Sequence, residues 1–421
     1  MQVDRIRRQT RVGTLLWISF ALLVMVMFFG ENLRYAMIVA SSAGLSLLWL
    51  PTILSNNNLL DKHEHRMQRA SLLLLLLITV YYLSGYSNIN IVWYLRTIWW
   101  LLAGILSMYV YKCCSQKEKK HYLYFIAIVL FLFVISDSMQ GRSVIAESGQ
   151  DEATKLANAW VGSMLMLLTG FSFIVFLNVK SFMPRLVAAL FIVSTLYVNI
   201  FVLQRATNFV MTLLEMAAIW IVTLKNRSIV KFSMGAIILV IILIFVTDFY
   251  VVILEWLIDV VPSERISDRL QSILFAMQYM SIEEGGGTMA ARSDLMGVSW
   301  NTFTSSFSHI IIGAGDYKHG NTVIGNHSYI VDSLASYGIV GGILLYQIFR
   351  NQFFILTSKI DKKKDYFLFS QVSVVFAVYI LRNFFGRMTF ANVNIVLLVF
   401  FPLVIEYIQS AFAKKSHTKS A

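Results

Sequence analysis

The 421-residue sequence predicts an all-α polytopic membrane protein of about twelve transmembrane helices. Both termini are expected in the cytoplasm, with one long extracytoplasmic loop carrying short helices. Three observations predict this: composition, the recurrence of long apolar runs, and an alternation of charge between the loops that join them. Hydrophobic residues make up 57% of the chain and charged residues only 14%. A soluble domain carries roughly a quarter charged residues, so this composition suits lipid as solvent. A hydrocarbon layer about 30 Å thick needs ~20 apolar residues per helical crossing. The alternation of a membrane β-strand, ~10 residues long, is absent.

Apolar runs fall at about 12–30, 33–54, 70–86, 91–111, 122–138, 157–178, 185–203, 206–224, 231–256, 328–349, 365–382 and 388–410. The first follows a basic start but is too long for a signal-peptide core and lacks a small-residue cleavage site, so it reads as a retained helix. The chain then divides into spans one to nine (1–256), a large outer loop (257–327), spans ten to twelve (328–410) and a basic cytoplasmic tail (411–421).

Alternate loops hold 24 of the 35 basic residues, among them Arg5 to Arg11, Lys62 to Arg69, Lys112 to Lys120, Lys359 to Lys364 and Lys414 to Lys419. The positive-inside rule makes these cytoplasmic, which puts both termini inside. The net charge of +12 is therefore a topology signal, and no nucleic-acid partner is implied. Cys113 and Cys114 are adjacent in a basic loop, which suits neither a disulfide framework nor a tetrahedral metal site.

Of the eleven basic residues left on the outer side, nine are arginine, whereas the inner set holds fifteen lysines and nine arginines. A lone arginine at a helix end anchors at the lipid interface. An outer face that keeps arginine against the topology rule also suggests an anionic ligand, because the guanidinium fork grips phosphate bidentately.

The outer loop contains a single proline, Pro262. Within it, apolar positions from Ile266 to Met280 recur at helical spacing after a candidate cap, Ser263. Glu283, Glu284 and the triple glycine Gly285 to Gly287 break that pattern. A second helix is expected from Met289 to His309, ending before Gly313-Ala314-Gly315.

At the outer mouth of the tenth span lies Asn326-His327-Ser328-Tyr329, with Asp332, Gly338 and Gly341 following. Imidazole is the one unperturbed side chain suited to take a proton from a sugar hydroxyl near neutral pH. At a helix N-terminus the partial positive charge disfavours imidazolium and leaves His327 able to accept a proton. The plainer role is a histidine near a helix cap at the interface. No outer residues show the spacing of a metal-holding motif, so neither metal nor any other cofactor is expected. Glu215, an acid deep in a span, is expected to serve as structural partner to an arginine from another helix. Arg205 lies between two apolar spans, where a charge costs at least ~2.5 kcal/mol unless paired or wet.

The pattern His-Ser, nine residues, Gly, two residues, Gly, with Gly313-Ala314-Gly315 before it, resembles the signature of the O-antigen polymerase and O-antigen ligase superfamily. Ala291-Arg292-Ser293-Asp294 before Trp300 resembles the arginine-bearing loop helix of that family. Gln204-Arg205-Ala206-Thr207 stands where the family shows Ser-Arg and a small residue, with Gln204 departing from the serine. The motifs cover about residues 190–345.

The resemblance implies a GT-C-like membrane glycosyltransferase that works on undecaprenyl-pyrophosphate-linked oligosaccharides at the outer face of the cytoplasmic membrane. It would do so by inversion and without metal. His327 would be the base, Arg205 and Arg292 would hold the donor pyrophosphate, and Asn326, Ser328 and Asp332 would support them. Membrane lipid, a chain-length regulator and a repeat-unit flippase are the further partners implied. The motif serves a polymerase and a ligase to lipid A-core alike, and breadth of occurrence favours the polymerase. A transporter or flippase also has twelve spans. Its inverted repeats and broken helices are not visible in a chain with four prolines.

Overall fold

A computed structural model describes residues 60–85, 91–113, 152–198, 206–224, 249–260, 288–315, 324–325, 328–386, 393–394 and 396–418, with scattered positions between 119 and 128 and between 267 and 274. All regular structure among the described residues is helical: α1 (Lys62–Leu83), α2 (Ile91–Cys113), α3 (Glu152–Asn178), α4 (Phe182–Tyr197), α5 (Ala206–Thr223), α6 (Phe249–Val260), α7 (Thr288–Thr304), α8 (Phe307–Ile312), α9 (Tyr329–Thr357), α10 (Tyr366–Phe384), a π-helical turn (Val396–Phe400) and α11 (Phe401–Thr418). Three of them, α1, α9 and α10, are long and apolar enough to cross a membrane. The expected spans at 12–30 and 33–54 lie outside the described residues, as does most of 122–138 and of 231–256.

Helix α1 starts eight residues ahead of the apolar run that announced it, because capping rather than hydrophobicity sets its end. The Asp61 side chain accepts the N–H groups of His63 and Glu64, each at 3.0 Å. The Glu64 carboxylate in turn accepts the Asp61 N–H at 2.7 Å, which closes a capping box. Lys112, at the end of α2, reaches Glu64 at 3.0 Å and Asp61 at 3.6 Å and so ties α2 to the start of α1. Burial opposes ionisation of Asp61, but the Glu64 N–H, Lys112 and the His63 N–H outweigh it and hold its carboxyl below the usual range. Met67, Ser71, Leu74, Ile78 and Tyr81 form the buried stripe of α1 at helical spacing. Leu72, Leu73, Leu76, Val80 and Leu83 remain exposed on α1, as do Phe182, Val187, Leu190 and Val193 on α4. Water would not cover such faces; lipid does.

Helix α9 occupies the centre and packs on α1, α7, α8 and α10. It runs to Thr357, past the expected end of the span, because its polar residues find partners inside the bundle. Gln352 Nε2 donates to Asn394 Oδ1 at 2.7 Å, and Asn394 Nδ2 donates to the Trp100 carbonyl of α2 at 2.7 Å. Asn351 Oδ1 meets His63 Nδ1 at 3.2 Å. A second clasp joins α3, α5 and α10: Asn178 Nδ2 donates to Gln371 Oε1 at 2.8 Å, and Gln371 Nε2 to Thr223 Oγ1 at 2.7 Å. Interhelical bonds of this kind, worth ~1 kcal/mol each, stand in for a hydrophobic effect that lipid does not supply.

The last expected span, 388–410, is modified. A π-helical turn precedes α11, and α11 continues to Thr418. Pro402 has no N–H to give the carbonyl of Leu398, so the ladder widens there. At the same end of the bundle as Lys112, Tyr111 donates to Glu406, Lys119 lies 3.5 Å from Glu406, and Lys359 stacks 5.1 Å over the Tyr111 ring. Burial, and then the neighbouring Lys112, lower the pKa of Lys359.

Candidate functional site at the start of α9

Two of the six residues singled out from sequence are fully described. Ser328 is the N-cap of α9, and its hydroxyl accepts the Val331 N–H at 3.3 Å. Asp332 is 3% exposed, and its Oδ2 accepts the N–H of Ser328 at 3.2 Å. Its Oδ1 accepts a hydrogen bond from Ser299 Oγ of α7 at 2.6 Å. Ser299 also accepts the Gly325 N–H at 2.9 Å. Arg205, Asn326 and His327 lie outside the described residues. The backbone of Arg292 belongs to α7, seven residues and about two turns before Ser299, and its side chain is outside the description.

Close backbone contact locks this corner. A Cβ on Gly325 would stand 1.8 Å from the Leu295 carbonyl oxygen, so the chain before Asn326 lies flat against α7. The expected helix Met289–His309 is split at Ser305 and Ser306, where Ser306 accepts the His309 N–H at 3.1 Å and caps α8. The split lets α8 turn onto α9.

Helix α9 is kinked at Gly338, whose φ of 61° and ψ of −163° lie in a region open to glycine alone. The kink releases carbonyls that an unbroken helix would use itself. Ala335 and Ser336 offer theirs to the Ala314 N–H at 2.7 Å and the Gly315 N–H at 3.0 Å. Gly313, with φ of 78°, approaches so closely that a Cβ would meet the Ser336 carbonyl oxygen at 2.3 Å. The two glycine motifs read separately in the sequence thus form one crossing. Tyr81 of α1 completes it by donating to the Ile312 carbonyl at 2.6 Å.

On the other flank, the Tyr329 N–H, one of the free donors at the start of α9, bonds to the Gly386 carbonyl at 3.2 Å. Arg382, in the last turn of α10, is 7% exposed. A Cβ on Gly386 would stand 1.8 Å from its guanidinium, so glycine is what leaves room for this arginine beside the start of α9. Arg382 was among the arginines that the charge pattern assigned to the outer side, and no motif distinguished it. Ser299 was likewise missed; its only sequence signal is its place beside Trp300 on the expected arginine-bearing helix. Glu215 is fully buried against Gly170 of α3, where a Cβ would lie 2.2 Å from its carboxylate. Among the described residues neither of its oxygens has a hydrogen-bond partner. The expected pairing with an arginine from another helix is thus not found among the described residues.

Among the described residues the regular structure is helical, three helices are long and apolar enough to cross a membrane, and wide apolar faces stay exposed, which together define the class: this fold is that of a helical membrane protein. No protein-family model matches the chain, and no curated protein matches it.

Proposed function

We propose that the chain is a polymerase of a bacterial surface polysaccharide such as O-antigen, capsule or exopolysaccharide. It moves a growing glycan from undecaprenyl pyrophosphate onto the next lipid-linked repeat unit. In this reading twelve spans cross the cytoplasmic membrane with both termini inside, and the start of α9 faces outward. The acceptor hydroxyl gives its proton to His327, and its oxygen attacks the anomeric carbon. The bond from that carbon to the pyrophosphate oxygen breaks with inversion, and the lipid pyrophosphate leaves. Arg205 and Arg292 neutralise the charge that grows on the leaving group, in the role a divalent cation fills elsewhere.

The observation that supports this reading is the 2.6 Å bond from Ser299 to Asp332. It draws together the helix bearing Arg292 and the helix start that directly follows His327, two segments the family resemblance assigns to one site. Buried Arg382 adds positive charge at the same place.

Deletion of the gene tests the reading through the gel profile of surface glycan. Single capped repeats are expected. Polymer left on undecaprenyl would instead identify a ligase, and an unchanged profile would reject both. Purified protein in nanodiscs should also transfer between lipid-pyrophosphate oligosaccharides in excess EDTA. Activity lost to chelator and restored by one divalent ion would overturn the two-arginine mechanism and leave the polymerase reading in place.

A further inference from the structure

We infer that Glu215 is a proton-binding site inside the helix bundle: its carboxyl holds a proton as a resident ligand at neutral pH and exchanges it when α5 parts from α3. The inference does not rest on the polymerase reading, whose chemistry lies at the start of α9 and makes no use of this acid.

Glu215 lies nine residues from the start of α5 and eight from its end, so about 12 Å of helix covers it on either side. It is 0% exposed. It faces Gly170 of α3, where a Cβ would stand 2.2 Å from its Oε1. Glycine at that position makes room for a carboxyl within the helix contact, while Leu213 and Leu214 of the same turn are exposed on the outside of the bundle.

Nothing described around the carboxyl favours its ionised form. Helix α5 packs on α3 and α10. From Met164 to Asn178, α3 has no titratable residue, and from Met211 to Thr223, α5 has none besides Glu215. Thr169, beside Gly170, gives its hydroxyl hydrogen to the Leu165 carbonyl of its own helix at 2.7 Å. Helix α10 brings Tyr366 at its exposed start, Tyr379 and Arg382. Tyr379 packs edge-on against Phe349 of α9. The bond from Gln371 to Thr223 joins the start of α10 to the end of α5 and sets their register. Counted from that bond, Glu215 lies about 12 Å along α5 and Arg382 about 16 Å along α10. The two are thus near one level, yet the Arg382 guanidinium lies against Gly386, beside the start of α9. Neither oxygen of Glu215 has a hydrogen-bond partner among the described residues. An ionised carboxylate here would lose its hydration and gain neither donor nor counter-charge, whereas the neutral acid loses far less. A proton satisfies the group without any further ligand. Acids buried in this way in membrane proteins are rare, and they mark proton and ion paths.

The test uses full-length protein in nanodiscs and its Glu215→Gln variant, whose amide has the shape of the neutral acid. Infrared difference spectra at neutral pH, wild type minus variant, should show the C=O stretch of a neutral carboxylic acid. That band should shift in heavy water as O–H becomes O–D. Dicyclohexylcarbodiimide, which enters lipid, should abolish the band and leave Glu215 as an N-acylurea in peptide mass spectra. In that step the carboxyl oxygen bonds to the central carbon of the carbodiimide and the acid proton passes to one nitrogen; the acyl group then migrates to nitrogen. A water-soluble carbodiimide with an added amine should modify exposed Glu255 and spare Glu215.

Carboxylate bands in place of the acid band overturn the proton site. So does a Glu215→Gln protein that fails to accumulate, since the amide reproduces the neutral form. An acid band that stays fixed in heavy water, or survives dicyclohexylcarbodiimide, overturns the exchange and reduces Glu215 to a sealed structural acid.

Discussion

His327→Ala should abolish glycan polymerisation while the protein accumulates in the membrane at its normal level. The expected loss exceeds ~10²-fold, the low end of what a general base supplies. A sugar hydroxyl near neutral pH gives up its proton only as it attacks, and no other motif residue can receive it. Arginine stays protonated, Ser328 has its hydroxyl at the cap, and the oxygens of buried Asp332 accept from the Ser299 hydroxyl and the Ser328 N–H. The histidine follows Gly325 by two residues and precedes the α9 cap, so removing its ring leaves the backbone bonds on either side intact. Loss of activity without loss of protein is therefore the signature of a base. Polymer at near wild-type amounts in the variant would reduce His327 to a residue beside a helix cap and end the mechanism proposed for this site.

Gly338→Ala should destabilise the protein by roughly 3 kcal/mol, the sum expected of a glycine-only backbone and a steric overlap. At φ 61° and ψ −163° any Cβ is strained. The added atom would also lie 2.3 Å from the Ile311 carbonyl oxygen and 2.6 Å from the Gly313 N, both backbone atoms that cannot step aside. Relief would require α9 to straighten. That would return the Ala335 and Ser336 carbonyls to the helix and strand the Ala314 and Gly315 N–H groups they now hold. Gly342→Ala provides the contrast. There the new Cβ meets only the tip of the Leu334 side chain, and a rotamer change suffices. Thermal unfolding in detergent should show a clear drop for position 338 and almost none for position 342. Equal stability of the two variants would mean that the kink is not required by the fold.

The helices themselves were legible because apolar runs of spanning length have few alternatives. α2 and α5 begin at the expected residues, and α10 begins one residue later. Ends were read less well wherever something other than hydropathy set them. At α1 a capping box took in Lys62, Arg66 and Arg69, which had read as loop. At α9 buried Asn351 and Gln352 looked like the polar end of a span, and their partners on α1 and beside α2 became visible only in three dimensions.

The candidate site was legible in its motif and not in its supports. Gly313, Gly315 and Gly338 stood out by spacing, and the crossing shows why Gly313 and Gly338 are glycine. Ser299 carries no such mark, since a serine in a helix is common and its value lies wholly in what it touches 33 residues away.

What the sequence determined by itself is the apolar solvent of this protein and the residue types at the start of α9. Composition and run length follow from the hydrocarbon layer, and a histidine followed by a capping serine follows from local helix chemistry. The tertiary structure alone decided that the helix bearing Arg292 and the start of α9 are joined through buried Ser299 and Asp332, and that α9 breaks at Gly338 to admit the Gly313–Gly315 turn. Both decisions depend on pairing buried polar groups. A hydroxyl, a carboxylate or a freed carbonyl must find its partner wherever packing brings one, and that partner's place in the chain leaves no periodic trace.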